Sequence, residues 1–443
     1  MITRRVFCAL LICLSAMLLG SCNSGEGVGA AAHTPRLRVI NLIPNSTTMQ
    51  LTVGGSVAAS GLPYQGITEY MDIAAAPATG STTLEFKVSV DGGATTLIDT
   101  FNTISVGLDY TFIASGPVEA AHSSVFLDTV TLIPDGGTFE LRVVNVATST
   151  NSVDIYLTPP GTDLSATAPT ISGAASGIIT PFTLVNTSTY ELRITPNATK
   201  DVIFDVPIVN FPDKGIAQLV VYGTFSSQLV DAAVLNIDST GTGQNYDNTL
   251  AAFKFVNASS VGAPLNVFVD GVLTLANIPF AGVSSYQKVS AGQHSISVQS
   301  SATPGSILLS LVTSLGSATD SSIVVSGAAG TLQGLVLSDN NLPAGFLRAK
   351  VRFINASPDL AAMDVYVNFA KTFSGVASNS GSPYTELVAD ALGSTTYQFD
   401  FNLAGTSTKV LTIPAVPLIT GKTYSVYVVG PAAALQGVVA ADD

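Results

Sequence analysis

The stretch Val351-Arg352-Phe353-Ile354-Asn355 decides the fold, because the chain writes its pattern four times. The pattern is apolar, basic, apolar, apolar, Asn. The other copies are Leu37-Arg38-Val39-Ile40-Asn41, Leu141-Arg142-Val143-Val144-Asn145 and Phe253-Lys254-Phe255-Val256-Asn257. They recur roughly every 100 residues, the size of one small β-sandwich domain. One fold repeated in tandem is therefore expected, with modules over residues 36–132, 139–238, 250–339 and 347–443.

Two further landmarks repeat outward from the signature. Eight residues past each Asn a strict alternation begins. Its inward series is Met49, Leu51, Val53; Val153, Ile155, Leu157; Leu265, Val267, Val269; and Met363, Val365, Val367. Alternation with one apolar face marks a half-buried strand. Gly54-Gly55 and Asp270-Gly271 follow as hairpin turns, where positive φ is needed. Twenty-nine residues past the Asn stands an aromatic: Tyr70, Tyr286 and Tyr384. Module 2 places Phe182 there after an eight-residue insertion around Pro159-Pro160. Each aromatic is expected to open another strand. With later apolar runs, each module reads as roughly seven strands, an all-β sandwich of immunoglobulin-like or transthyretin-like type.

Turn formers separate the modules: Pro134-Asp135-Gly136-Gly137, then residues 238–248 (DSTGTGQNYDN), then Asp339-Asn340-Asn341-Leu342-Pro343. Such short connections predict an articulated rod. Charged residues are 11% against a usual ~25%, while 47% of residues are hydrophobic, which provides for several cores. The net charge of −13 argues against a nucleic-acid partner, since binding there rests on neutralising phosphates.

The amino terminus reads as an address. Arg4 and Arg5 precede an apolar run from Val6 to Leu19. As a helix, that run would be about 21 Å long, short of a hydrocarbon core of about 30 Å. Residues 1–21 therefore read as a signal peptide. The run ends in Leu19-Gly20-Ser21-Cys22, which resembles the bacterial lipobox. That resemblance implies lipidation of Cys22, with a tether over residues 22–35. Cys8 and Cys13 would leave with the signal, so Cys22 would be the one mature thiol. A single thiol has no internal disulfide partner. Several acyl chains together anchor a protein stably. Asn23, where Asp would resemble an inner-membrane retention signal, points to the outer membrane.

The signature with its continuation, Ala356-Ser357-Pro358-Asp359 and Met363-Asp364-Val365-Tyr366-Val367, resembles the opening of the bacterial family called domain of unknown function 4397. Module 3 repeats it in Asn257-Ala258-Ser259, Leu265-Asn266-Val267-Phe268-Val269-Asp270-Gly271 and Ile278-Pro279-Phe280. Module 1 matches with Leu62-Pro63-Tyr64 and Ile67-Thr68-Glu69-Tyr70. Module 2 departs most, lacking the Ala-Ser pair. The resemblance implies a β-sandwich of the cell envelope. It implies no activity, because the family has none assigned.

The repeated Asn is expected to fix a turn by bonding backbone two residues on. The repeated basic residue reads as an outward-facing gatekeeper on an edge strand; an anion contact is the alternative. His33, His122 and His294 are not at zinc-ligand spacing. His122 beside Ser123 reads as a loop residue. Asp238, Asn245 and Asp247 could gather oxygens around Ca²⁺, but the EF-hand pattern is absent and a solvated linker is the better reading. Gly241-Thr242-Gly243 lacks the strand–helix setting of a phosphate loop. No catalytic residue, cofactor site or metal site is expected. The function expected is a membrane-anchored, non-catalytic envelope scaffold or binding rod with a glycan or protein ligand. The alternatives are an adhesin working through exposed edge strands, or an accessory of a carbohydrate-active enzyme.

Overall fold

The computed structural model describes residues 33–128 and 132–442. The signal segment, Cys22 and the tether as far as residue 32 lie outside the described residues. No helix among the described residues is long and apolar enough to cross a membrane.

Module 1 holds β1 (Arg36–Leu42), β2 (Met49–Val53), β3 (Ser56–Leu62), β4 (Met71–Asp72), β5 (Ser81–Val90), β6 (Thr95–Ser105), β7 (Asp109–Ser115) and β8 (His122–Leu127). Module 2 holds β9 (Thr138–Asn145), β10 (Ser152–Thr158), β11 (Ile171–Ala175), β12 (Thr183–Asn186), β13 (Thr189–Pro196), β14 (Phe204–Asn210), β15 (Ile216–Gly223) and β16 (Val230–Asn236), followed by β17 (Gly243–Tyr246). Module 3 holds β18 (Leu250–Ser259), β19 (Leu265–Val269), β20 (Val272–Ile278), β21 (Gln287–Ser290), β22 (Gly292–Ser300), β23 (Ile307–Leu315), β24 (Asp320–Gly327) and β25 (Gln333–Asp339). Module 4 holds β26 (Arg348–Ala356), β27 (Ala362–Val367), β28 (Ala370–Ala377), β29 (Ser380–Gly381), β30 (Thr385–Val388), β31 (Thr396–Leu403), β32 (Lys409–Pro417), β33 (Thr423–Val429) and β34 (Gln436–Ala441).

Each module is a sandwich of two sheets with one strand path. In module 1 the paths are β4-β1-β7-β8 and β3-β2-β5-β6, and the other modules repeat them. In letters this is D-A-G-H over C-B-E-F. It is the transthyretin-like arrangement, not the ABED/CFG of an immunoglobulin constant domain. The signature strand is central, and it runs parallel to the seventh strand: β1 to β7, β9 to β15, β18 to β24, β26 to β33. The inward series of the second strand is buried in the four module cores. Burial of each such side chain contributes roughly 1.5–3 kcal/mol.

The repeated Asn closes the signature strand as its chemistry dictates. Asn41, Asn145, Asn257 and Asn355 are fully buried. Each Oδ1 accepts the backbone N–H two residues on, at 3.1, 3.0, 3.0 and 3.3 Å. Each Nδ2 donates to a carbonyl near the end of the third strand: Leu62, Ala174, Ile278 and Val376.

Three expectations are corrected. The modules are built on eight strands rather than about seven, with β17 added beside β16 and two short strands, β29 and β30, beside β26; the third and sixth are mostly exposed edge strands with little apolar signal. The signature basic residue is not on an edge and does not face solvent: Arg38, Arg142, Lys254 and Arg352 are all buried. The modules also do not form an articulated rod. The outer face of each signature sheet packs on that of a neighbour. Ile40, Leu42 and Ile113 meet Val144, Val146 and Val220 between modules 1 and 2. Val256 and Val324 meet Ile354, Tyr427 and Val429 between modules 3 and 4. The parallel-paired signature strand is thus covered on both sides, which explains its nearly continuous apolar run.

The pairs are stacked in two tiers. The chain leaves module 2 beside the start of β1, where Tyr70 N–H donates to Thr240 O at 3.1 Å. β17 then runs antiparallel along β16 and carries the chain to the other end of the pair. Residues 238–248, read as a solvated linker, therefore hold a sheet strand. At the seam Leu229 packs on Ala252 and Ala318, and Thr224 Oγ1 donates to Ala318 O at 2.7 Å.

Candidate functional site

The four signature cations converge in two clusters, one inside each module pair. Alternation explains their position. Leu37 and Val39 point into the module core, while Arg38 and Ile40 point to the opposite face. Opposite each cation the parallel strand offers a polar residue: Thr111, Gln218, Ser322 and Ser425. All four are fully buried.

Between modules 1 and 2, one carboxylate serves two guanidinium groups. Asp128 accepts from Arg38 at 3.1 Å and from Arg142 at 2.6 Å. Thr111 Oγ1 donates to Asp128 as well, and Tyr70 OH does so at 2.7 Å. Arg38 completes its bonding on carbonyls of Asn236 (2.8 Å) and Gly241 (3.0 Å). Arg142 donates to Gln218 Oε1 at 2.9 Å and to Leu127 O at 3.1 Å. Burial pulls the Arg142 guanidinium below its ordinary value, against the opposing pull of Asp128. Burial, then Asp128, pushes the Tyr70 phenol well up.

Between modules 3 and 4, two carboxylates serve two cations, and the pairing crosses. Arg352 of module 4 binds Asp339 of module 3, and Lys254 of module 3 binds Asp442 of module 4. Lys254 Nζ also lies 3.9 Å from Asp339. Ser425 Oγ donates to Asp442 at 2.5 Å, and Tyr286 OH donates to Asp339 at 2.5 Å. Desolvation lowers the Arg352 value, but Asp339 and the other negative groups outweigh it and the net shift is upward.

The aromatic landmark is the lid of the same cluster. Tyr70 lies 4.9 Å from Arg38, Phe182 4.9 Å from Arg142, Tyr286 5.1 Å from Lys254 and Tyr384 5.0 Å from Arg352, measured to the ring centroid. A cation over a ring face, away from water, gains about 2 kcal/mol. Each aromatic immediately precedes its strand: β4, β12, β21 and β30. Gly241 shapes the first cluster from the linker side. Its φ is +69°, and a Cβ there would stand 2.3 Å from the Tyr70 ring.

The arrangement holds sheets together rather than opening to a substrate. A buried pair that loses one member leaves an uncompensated charge, which is strongly destabilising. The anion-contact reading of the basic residues is realised internally, the anions being Asp128, Asp339 and Asp442. Those aspartates were not anticipated. Their signal was an Asp at the end of the last strand in three modules.

The other residues singled out stay apart. His122 Nε2 meets Ser115 Oγ at 3.0 Å, and His294 lies between Asp270 Oδ2 and Ser290 O, both at 2.7 Å. His33 stands 3.8 Å from Asp109. Asp238 Oδ1 accepts from Thr240 and Gly241 N–H, both at 2.8 Å, while Asn245 bonds Gln65 O and Tyr222 OH. Among the described residues no three His, Cys, Asp or Glu side chains gather as a metal site. A cleft of about 680 Å³ opens between modules 1 and 2, with Arg36, Asp109, Lys214, Ile237 and Asp238 on its walls.

Comparison with known proteins adds a family. The sequence model of a domain of unknown function (DUF4397) matches residues 35–156, 251–359 and 349–443. No curated protein matches. Among solved structures, the Bacillus anthracis TIE protein aligns over 87% of this chain and 68% of its own, at 8% identity and a TM-score of 0.15. That likeness is too slight to carry an argument.

Proposed function

This chain belongs to the DUF4397 family, and we propose that it is a non-catalytic scaffold of the bacterial envelope, held at the outer membrane by lipid on Cys22. The observation that carries this reading is where the repeated polar residues go. The constellation shared by the modules is buried between them, with Arg38, Arg142, Lys254 and Arg352 all turned inward. The repetition therefore serves assembly. The address rests on Arg4-Arg5, the apolar run and Leu19-Gly20-Ser21-Cys22. The cleft beside Arg36 and Lys214 supports a glycan or protein ligand as the scaffold's cargo, since its volume lies in the usual range for ligand sites.

The test is fractionation of cells expressing the full chain or Cys22→Ser. The wild type is expected in the outer-membrane fraction and Cys22→Ser in the soluble fraction. A Cys22→Ser protein that remained in the membrane would overturn the anchor.

A further inference from the structure

Three of the four signature cations are arginines; the third is Lys254. A guanidinium can only pair with a carboxylate, whereas an amine can also be acylated by one. Lys254 is buried against the Asp442 carboxyl, which lies 188 residues further along the chain and is itself buried. A second carboxylate, Asp339, stands 3.9 Å from the same Nζ. We propose that Lys254 Nζ and the Asp442 carboxyl condense into an amide bond, a covalent clasp that ties module 3 to the end of module 4.

The surroundings supply what the reaction needs. Attack needs the neutral amine, which forms when one proton passes from the ammonium to Asp442, giving a neutral amine and a neutral acid inside the buried pair. Burial does push the Asp442 carboxyl upward, toward its neutral form. For Lys254, desolvation pulls the other way from Tyr427, Asp442 and Asp339, which hold the ammonium in the resting pair. The amine then attacks Asp442 Cγ, forming the C–N bond. Asp339 takes the surplus proton from nitrogen and delivers it to the leaving hydroxyl as the C–O bond breaks. One water departs, and Asp339 ends as it began.

Asp339 is placed for this by Arg352, by Tyr286 OH and by Ser322 Oγ, at 2.8 Å from its Oδ2. Ser425 Oγ fixes the other oxygen of Asp442. The Tyr286 ring, 5.1 Å from Nζ, covers the amine. Two groups fixed in contact reach very high effective molarity, and proton transfer by a positioned carboxylate contributes a further 10²–10⁴-fold or so.

The test is protease digestion and tandem mass spectrometry of the purified full chain after prolonged incubation at neutral pH. The expected product joins the Lys254 and Asp442 peptides and is lighter than their sum by one water. Finding only the two linear peptides would overturn the proposal. Lys254→Arg keeps the charge and should abolish the link. Asp339→Asn keeps both reacting groups and should lower the linked fraction at least about tenfold. Full linkage in Asp339→Asn would remove Asp339 from the reaction as written.

Discussion

Ile237 occupies in module 2 the place that Asp442 occupies in module 4. The backbone N–H of each donates to a carbonyl at the start of the seventh strand, Ile216 O and Thr423 O, both at 2.8 Å. Asp128 does the same with Asp109 O at 2.9 Å. Module 2 thus lacks the carboxylate that its fold would place at the cluster, and Asp128 alone serves two arginines.

Asp128→Asn should therefore be the most damaging change in the first pair. It leaves Arg38 and Arg142 without a buried counter-charge, a loss of about 3–5 kcal/mol. Thermal unfolding should show the midpoint falling by several degrees, while Asp99→Asn, on an exposed pair with Lys87, shifts it little.

Asn355→Ala removes two donors from buried carbonyls, Leu360 and Val376, and one acceptor from Ser357 N–H. Groups left unsatisfied in this way cost about 1–3 kcal/mol each. Chemical denaturation should show a loss of at least about 2 kcal/mol, with Asn355→Asp no milder, because it turns an acceptor toward the two carbonyls and buries an unpaired charge.

Gly241→Ala tests the seam between the linker and module 1. The positive φ alone costs about 1 kcal/mol, and the Tyr70 ring must also move. Hydrogen exchange should speed up at the β17 amides, with β22 unaffected.

Asp231 makes stability depend on pH. Burial pushes its carboxyl up to about 7, against the Asn248 N–H bond that favours the anion. The folded value lies above the unfolded one, so the neutral acid is the form that the fold favours. That contribution is full below about pH 4 and is lost as pH rises to about 7, a change of a few kcal/mol at most. Melting of wild type and Asp231→Asn from pH 4 to 8 should show the wild type losing ground steadily and then levelling off. Parallel curves would exclude Asp231 as the source.

Much of this was legible in the sequence. The alternation beginning at Met49, Val153, Leu265 and Met363 gave the core face directly, because period two admits no other reading. The basic residue misled for the same reason. Alternation places Arg38 outward, and outward means solvent only for a sandwich that stands alone. Ile40 shares that face and is apolar, which was the sign of a covered sheet. Tyr70 and its counterparts were visible as landmarks, but a landmark does not reveal what it stacks on. β17 was hidden by composition: its Gly, Gln and Asn residues read as loop, yet pairing with β16 makes it strand.

The strand path has a mechanical consequence. β8 ends beside the start of β1, so module 1 releases the chain at the end where it received it and module 2 stands alongside; module 3 hands on to module 4 in the same way, and only β17 carries the chain along to a second tier. Four sandwiches laid head to tail would extend four strand-lengths from their origin. Laid two by two they extend only about two, at roughly 23 Å for a seven-residue strand. The molecule gives up reach for girth, and a load on its far tier is shared by two columns rather than carried by one.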